Sequence, residues 1–119
     1  MQDRIQFIQD FQKRTKRHAI SAVELYRKLP KSDEARIIGR QFLRSALSVG
    51  ANYRAACRAR SKAELFSKLS VTVEEADEAL YWIEVLEELQ LLTYDETKAF
   101  CQEGSEILAI LSVARKNAR

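Results

Sequence analysis

The sequence predicts an all-α protein that folds as an antiparallel, up-and-down four-helix bundle. Its 119 residues include only three glycines and one proline, so the chain has few residues suited to tight turns. Residues that favour helices, chiefly Ala, Leu, Glu, Lys and Arg, are abundant. Helix-start signals divide the chain into four segments, and apolar residues recur within them at helical spacing. This length suits one domain, so we predict a single unit over residues 1–119.

Capping residues set the boundaries of the four helices. Pro30 disfavours helical geometry at the residue before it, so the first helix should end near Leu29. Ser32 precedes Asp and Glu, which is typical of an N-cap. Ser61 and Thr93 each stand three residues before a glutamate, the spacing of a capping box. The predicted helices are 5–29, 33–59, 62–91 and 94–116, and their short connections make consecutive helices antiparallel neighbours.

The main apolar stripe of each helix is assigned to the core of the bundle. In the first helix the stripe consists of Ile8, Phe11, Ala19, Ala22, Tyr26 and Leu29. In the third helix it consists of Phe66, Leu69, Val73, Ala76, Leu80 and Ile83. Gly39 and Gly50 share the apolar arc of the second helix, which indicates a close approach of backbones there. We also predict that His18 is a core histidine and that Cys57 and Cys101 are buried free thiols.

A second apolar stripe on the third helix predicts contact between subunits. Val71, Trp82, Val85 and Leu89 follow one another along the helix, opposite its core seam. An exposed tryptophan in an apolar strip is unfavourable for a monomer. We therefore expect a homo-oligomer whose interface includes Val71, Trp82 and Val85, with Tyr53 of the second helix at or near it. The alternative is a single tryptophan anchored on the surface of a monomer.

Charge is segregated along the chain far more than the formal net charge of +3 suggests. Residues 1–31 and residues 32–62 each carry a net charge of +5, whereas residues 63–92 carry −7 and residues 93–119 are neutral. The first two helices should therefore present positive faces, and the third a negative one.

A row of arginines on the second helix is the most informative pattern for function. Because eighteen residues make about five helical turns, five arginines fall within a narrow arc: Arg36, Arg40, Arg44, Arg54 and Arg58. Arg60 and Lys62 extend this charge into the next turn, and Lys13, Arg14, Lys16 and Arg17 form a second cluster on the first helix. Arginine binds phosphate through two-point contacts. We therefore predict that these side chains contact RNA or DNA, namely Arg40, Arg44, Arg54, Arg58, Arg60 and Lys62, assisted by Lys13, Arg14 and Arg17.

Two other interpretations of this stripe stay open. Glu64, Glu75 and Glu78 gather on one arc of the third helix, and they could pair with the arginines within or between subunits. The protein would then be a scaffold or adaptor whose charged faces serve only oligomerisation or the binding of a partner protein. No aromatic residue interrupts the arginine arc, so stacking on single-stranded bases is not indicated.

The sequence does not indicate an enzyme, a metal site or a cofactor. A di-iron bundle needs Glu-x-x-His pairs on facing helices, and the chain has one histidine, His18. We interpret Gln41, Ser45, Ser48 and Asn52 as buried hydrogen-bonding groups between helices, because no base is placed to activate a serine. No apolar run reaches the roughly 20 residues of a membrane span, and no signal peptide is evident, so we expect a cytoplasmic protein.

The middle of the chain resembles a known bacterial family. The resemblance is carried by the segment QFLRSALSVGAN at residues 41–52, followed by Tyr53, Ala56, Ser61, Lys62, Glu75, Glu78, Tyr81 and Trp82. It is similar to the four-helix-bundle proteins encoded in intervening sequences of 23S ribosomal RNA genes. That family includes the accessory variability protein of diversity-generating retroelements.

The resemblance implies an assembly and a set of partners. It implies that the bundle forms a homopentameric barrel with a basic, nucleic-acid-binding surface, and that a reverse transcriptase is a possible partner. The sequence keeps the family's Arg44, Ser48, Asn52 and Trp82. It departs from the family at Ala55, where many members carry Glu. Without that carboxylate, Arg54 and Arg58 should be freer to bind a ligand.

Overall fold

A computed structural model describes residues 2–119 of the protein. Residues 2–119 form four helices: α1 (Gln2–Arg27), α2 (Asp33–Ala56), α3 (Lys62–Glu88) and α4 (Tyr94–Asn117). Within this part of the chain each helix packs on its neighbours in sequence and α4 closes on α1. Of the diagonal pairs, α2 and α4 touch through the rings of Phe42 and Phe100, whose centroids lie 5.1 Å apart. The α1–α4 contact is the least extensive of the four. The prediction of an all-α four-helix fold is confirmed.

The three predicted helix starts are confirmed by their capping bonds. The Ser32 hydroxyl accepts a hydrogen bond from the backbone N–H of Ala35 at 3.3 Å, and the Ser61 hydroxyl accepts one from Glu64 at 3.0 Å. Thr93 and Glu96 form the complete capping box, in which each side chain accepts a bond from the other residue's backbone N–H. These bonds satisfy donors that the first turn of a helix leaves without partners.

Helices α2 and α3 end three residues earlier than predicted, at Ala56 and Glu88. The end of α3 has a specific cause, because Gln90 adopts the left-handed backbone conformation with a φ of 61°. The N–H groups of Gln90 and Leu91 then donate to the carbonyls of Glu87 and Leu86 at 2.9 Å each. This is a Schellman motif with glutamine at the position that glycine usually occupies.

The core consists of two clusters, one towards each end of the bundle. The first includes Phe11, Val49, Tyr53, Leu69, Ile107 and Leu111, and the second includes Ala22, Phe42, Ala46, Ile83, Leu86 and Phe100. Gly50 brings the backbones of α1 and α2 together, since a Cβ atom there would lie 3.4 Å from the carbonyl oxygen of Thr15. The predicted close approach is thus confirmed at Gly50, whereas Gly39 instead accommodates the side chains of Tyr26 and Leu29.

The structure corrects the predicted core at two helices and at both cysteines. Thr15 and Leu25 of α1 are buried, whereas the predicted Ile8, Tyr26 and Leu29 are only partly so. In α3 the most buried face includes Thr72, Ala79 and Leu86, which turns the core seam towards α2. His18 is buried as predicted, but Cys57 is exposed because it follows the last residue of α2, and Cys101 is half-buried.

Candidate nucleic-acid interface

The arginines of α2 lie on the outer face of the bundle, but they do not form one uniform row. Arg36, Arg40, Arg44 and Arg54 of α2 are exposed, and so is Arg58, which lies in the turn after α2 and not within the helix as predicted. Arg36 is bound by its own helix, because its guanidinium lies 2.6 Å from the carboxylate of Asp33. The others divide between the α3 side and the α1 side of α2.

Arg44 is paired with carboxylates of α3. Its Nη1 donates to Glu75 at 3.0 Å and its Nη2 donates to Glu78. The same Glu78 oxygen accepts a hydrogen bond from the indole N–H of Trp82 at 3.0 Å. The bond from Trp82, together with the guanidinium of Arg44, lowers the pKa of the Glu78 carboxyl. Arg44 is therefore already neutralised within the chain, as the ion-pair interpretation of the stripe expects.

Arg14 is paired in the same way with carboxylates of α4. Its guanidinium makes a two-point contact with Glu103 at 2.6 and 2.7 Å and a further bond to Glu106 at 2.8 Å. The hydrogen bond from Arg14 is the main reason that the pKa of Glu103 is lowered, and nearby Arg17 contributes to the shift by its charge. Arg14 thus holds α1 and α4 together where their contact is sparse, and Arg17 lies close to that pair.

The remaining charges meet in a groove between α1 and α2. It has a volume of about 470 Å³, and its lining includes Lys13 and Lys16 from α1 and Arg54 from α2. Its other lining residues are uncharged: Gln9, Gln12, Ala19, Leu47, Gly50 and Ala51. No carboxylate lies within 4 Å of the charged groups of these three cations in the described chain, residues 2–119. We name this feature the α1–α2 basic groove.

Two further exposed arginines, Arg40 of α2 and Arg58 of the turn after it, do not line the groove. Neither has a carboxylate within 4 Å among residues 2–119. Arg54 and Arg58 are both exposed, and the methyl group of Ala55 cannot pair with either arginine. The structure therefore brings together only part of the predicted set, Lys13 and Arg54, with Lys16 added.

The predicted contacts Arg60 and Lys62 lie elsewhere. Both line a separate cavity at the end of the bundle, formed by the start of α1, the α2–α3 connection and the end of α4. Arg60 also approaches Glu64 one turn along the chain, at 3.9 Å. An ion pair this long and exposed contributes little.

Sequence reasoning missed two glutamines that line the groove. Gln9 and Gln12 present amide groups beside the lysines, and neither was singled out as a site residue. A signal for Gln9 was present, because Gln9, Lys13 and Lys16 follow one another at steps of four and three along α1 and so share one helical face. The partner helix for that face could not be inferred from the stripe alone.

The residues predicted for a subunit interface are spread over different environments. Val71 is 43% exposed, whereas Val85 is half-buried. Trp82 is also half-buried and packs against the second core cluster, so it does not lie opposite the core seam as expected. Tyr53 is only 7% exposed and packs edge-on against Phe11, at 4.8 Å between ring centroids. The structure thus places Tyr53 in the core of the chain, away from an outer contact surface.

The polar residues of the α2–α3 side do not form the predicted bonds between helices. Ser45, Ser48 and Asn52 each donate to a carbonyl of their own helix, and Gln41 is exposed. Within residues 2–119 no three His, Cys, Asp or Glu side chains are placed to hold a metal ion. None of the four helices is both long and apolar enough to cross a membrane over the same residues.

Comparison with known proteins places this chain in a family. The family described as 23S rRNA-intervening sequence protein matches residues 9–113. The chain is also similar to a protein of unknown function from the S23 ribosomal protein family of Bacteroides thetaiotaomicron VPI-5482, whose crystal structure was determined at 1.70 Å. The two are 30% identical with a TM-score of 0.81, over 87% of this chain and 97% of that chain. No curated protein matches the chain. The chain belongs to the family of 23S rRNA-intervening sequence proteins.

Proposed function

We propose that the protein is a cytoplasmic, non-enzymatic accessory factor that binds RNA through the α1–α2 basic groove. The observation that carries this proposal is the meeting of Lys13, Lys16 and Arg54 in one groove without a neutralising carboxylate in residues 2–119. The name of the family refers to intervening sequences of 23S rRNA, so RNA is the first nucleic acid to test.

The composition of the groove suits a phosphate backbone better than it suits bases. Cations from two helices lie on both sides of a floor of small residues, Ala19, Gly50 and Ala51, which lets a ligand approach closely. The amides of Gln9 and Gln12 add donors for phosphate or sugar oxygens. No aromatic ring lines the groove, so a base has no surface on which to stack. We infer that structured RNA is bound by its backbone and shape, with Arg40 and Arg58 extending the contact along α2 and into the turn after it.

Self-association would place several basic grooves in one assembly and so increase its positive electrostatic field. The outer side of α3 exposes Val71, Tyr81 and Leu89, and burying such residues between subunits is favourable. We propose a homo-oligomer built through this surface, a pentamer if the resemblance to the barrel-forming proteins holds. Each subunit would then add one basic groove to a common ligand.

The same exposed surface of α3 favours a second candidate function, that of a scaffold for another protein. In that case the paired Arg44, Glu75 and Glu78 would set the specificity of association. The basic groove would have no ligand. The two functions differ in whether the protein binds nucleic acid at low salt.

Binding of labelled RNA hairpins and duplex DNA, measured by fluorescence anisotropy, tests the proposal. We expect RNA binding that is lost in the variant Lys16→Glu with Arg54→Glu. The matched control is Lys98→Glu with Lys116→Glu, which makes the same change in charge on α4, outside the lining of the groove. If the control variant binds RNA as tightly as the native protein does, the result supports RNA binding at the groove. Absence of binding by the native protein at low salt, or equal loss in both variants, would refute it.

The mass of each variant should be measured beside its affinity. Light scattering that shows an unchanged oligomer for Lys16→Glu with Arg54→Glu assigns the loss of binding to the groove. A variant that dissociates instead supports the scaffold function, in which these charges hold the assembly together.

A further inference from the structure

A second cavity opens at one end of the bundle, where α1 begins, α2 joins α3 and α4 ends. Its volume is about 780 Å³, within the range of roughly 300–1,000 Å³ that is typical of small-molecule sites. The contact between α1 and α4 is the least extensive in the bundle, and the cavity is lined by residues from the start of one helix and the end of the other. None of the basic-groove residues Lys13, Lys16 and Arg54 lines it.

The walls of this end cavity are apolar and incompletely buried. Phe7 of α1 is 53% exposed and Val113 of α4 is 58% exposed, although both face the cavity. Leu65 of α3 contributes a third, partly buried wall. Large apolar side chains from three helices around one opening leave a hydrophobic surface that a ligand with a hydrocarbon chain would cover.

The charges that line the end cavity all have one sign. Arg4, Arg60 and Lys62 are exposed residues of its lining, and no carboxylate belongs to that lining. Arg60 has the one neighbouring carboxylate, Glu64 at 3.9 Å, while Arg4 and Lys62 have none within 4 Å in the described part of the chain. An apolar interior with cations beside it complements a molecule that has a hydrocarbon chain and an anionic head.

We propose that the end cavity binds a medium-chain fatty acid, with the chain against Phe7, Leu65 and Val113 and the carboxylate at Arg60 and Lys62. This inference is separate from RNA binding, because the two sites share no lining residue. It also gives Arg60 and Lys62 a ligand other than phosphate. Cys57 lines the same cavity and is a free, exposed thiol, so its reactivity can report on occupancy.

Titration calorimetry with decanoate and dodecanoate, below the concentrations at which they form micelles, tests the proposal. Each further buried methylene should tighten binding roughly fourfold. Dodecyltrimethylammonium, which has the same chain with a cationic head, should bind at least tenfold more weakly than dodecanoate. Equal affinity for the two head groups, or no binding of dodecanoate, would overturn the proposal.

Two variants separate the head-group contact from the chain contact. Arg60→Ala with Lys62→Ala should weaken dodecanoate binding by about tenfold and keep the dependence on chain length. Val113→Trp fills the cavity from an exposed position, so the protein should fold while dodecanoate binding is lost. Lys98→Ala with Lys116→Ala removes the same charge from α4 and should bind dodecanoate normally. Unchanged affinity in both cavity variants would contradict the assignment.

Protection of Cys57 gives an independent reading. In a Cys101→Ser background, dodecanoate should slow the alkylation of Cys57 by iodoacetamide, an uncharged reagent. Protection by RNA and not by dodecanoate would assign this end of the bundle to nucleic acid and refute the fatty-acid site. Failure of RNA binding alone would leave the fatty-acid results unaffected, so the two proposals fail separately.

Discussion

Gly50 of α2 lies against the backbone of Thr15 in α1, and this contact fixes the spacing of the two helices that form the basic groove. A Cβ atom at Gly50 would lie 3.4 Å from the Thr15 carbonyl oxygen and 3.7 Å from the backbone nitrogen of Lys16. The first of these distances is already an ordinary van der Waals contact, so α1 could approach no closer to a residue with a side chain. The two helices therefore lie about as close as an alanine at this position would allow.

Gly50→Ala and Gly39→Ala should have different effects on stability. Both positions lie inside α2, so both gain up to about 1 kcal/mol of helix propensity from alanine. At Gly39 the new Cβ would lie 2.7 Å from Leu29 and 2.9 Å from Tyr26, whereas at Gly50 it fits. We expect Gly39→Ala to be the less stable by about 1–3 kcal/mol. Urea unfolding of the two variants checks this, and equal stability would contradict the packing described here.

His18 should make the protein less stable as the pH falls from 7 towards 5. Burial lowers the pKa of its imidazole to about 4, from an ordinary value of 6.5. It stacks on Phe100 at 4.0 Å between ring centroids, and its Nδ1 has no hydrogen-bond partner among residues 2–119. Between pH 6.5 and pH 4 the unfolded chain binds the proton more readily, so stability present at neutral pH is lost as the pH falls through this window.

The expected loss between pH 7 and pH 5 is about 1–2 kcal/mol. The lowered pKa values of Glu78 and Glu103 affect stability only below the usual range of a glutamate, so this interval isolates the histidine. Urea unfolding at both pH values measures the loss, with His18→Phe as the control that should lack it. Equal stability of the native protein at pH 7 and pH 5 would show that the fold does not lower the pKa of His18.

Gln90→Gly should stabilise the end of α3. Gln90 has a φ of 61°, a conformation that costs a residue with a side chain roughly 1–2 kcal/mol relative to glycine. Part of this gain is offset by the greater freedom of glycine in the unfolded chain, so we expect a net increase of about 0.5–1 kcal/mol. Thermal unfolding checks the result, and Gln90→Ala, which keeps the Cβ, should show no such gain.

The four helices could be predicted from the sequence because the signals for them are local. Ser32, Ser61 and Thr93 are each followed by acidic residues at capping distance, and a cap depends on its immediate neighbours only. The end of α3 could not be predicted in this way, because Gln90 takes a conformation that sequence patterns assign to glycine.

The site was predicted only in part, because the residue pattern of one helix does not show which residues of another helix it will contact. Arg44 and Arg54 lie about 80° apart on a helical wheel, but the wheel does not show which helix each one faces. Arg44 pairs with Glu75 of α3, whereas Arg54 lines the groove with Lys16 of α1. Trp82 was misplaced for a related reason. Thr72 and Ala79 are buried despite their weak apolar character, so the core seam of α3 is turned towards Trp82. Small and hydroxyl-bearing core residues carry little hydrophobic signal.

Arg44→Gln and Arg54→Gln form a matched pair on one helix. Each removes one positive charge from an exposed position of α2. Because Arg44 is already held by Glu75 and Glu78, we expect Arg44→Gln to change RNA affinity by less than twofold. Arg54→Gln should weaken it by about fivefold at low salt. Anisotropy measurements on the same hairpin compare them, and a larger effect of Arg44→Gln would place the ligand on the α3 side of α2.

The salt dependence of RNA binding tests the central claim most directly. The logarithm of the binding constant should fall linearly with the logarithm of salt concentration, and each lost phosphate contact should reduce the slope by about 0.7–0.9. For Lys13→Gln with Lys16→Gln and Arg54→Gln, we therefore expect a slope smaller by about two to three than that of the native protein. A slope unchanged in this triple variant would show that RNA, if bound, lies outside the α1–α2 basic groove.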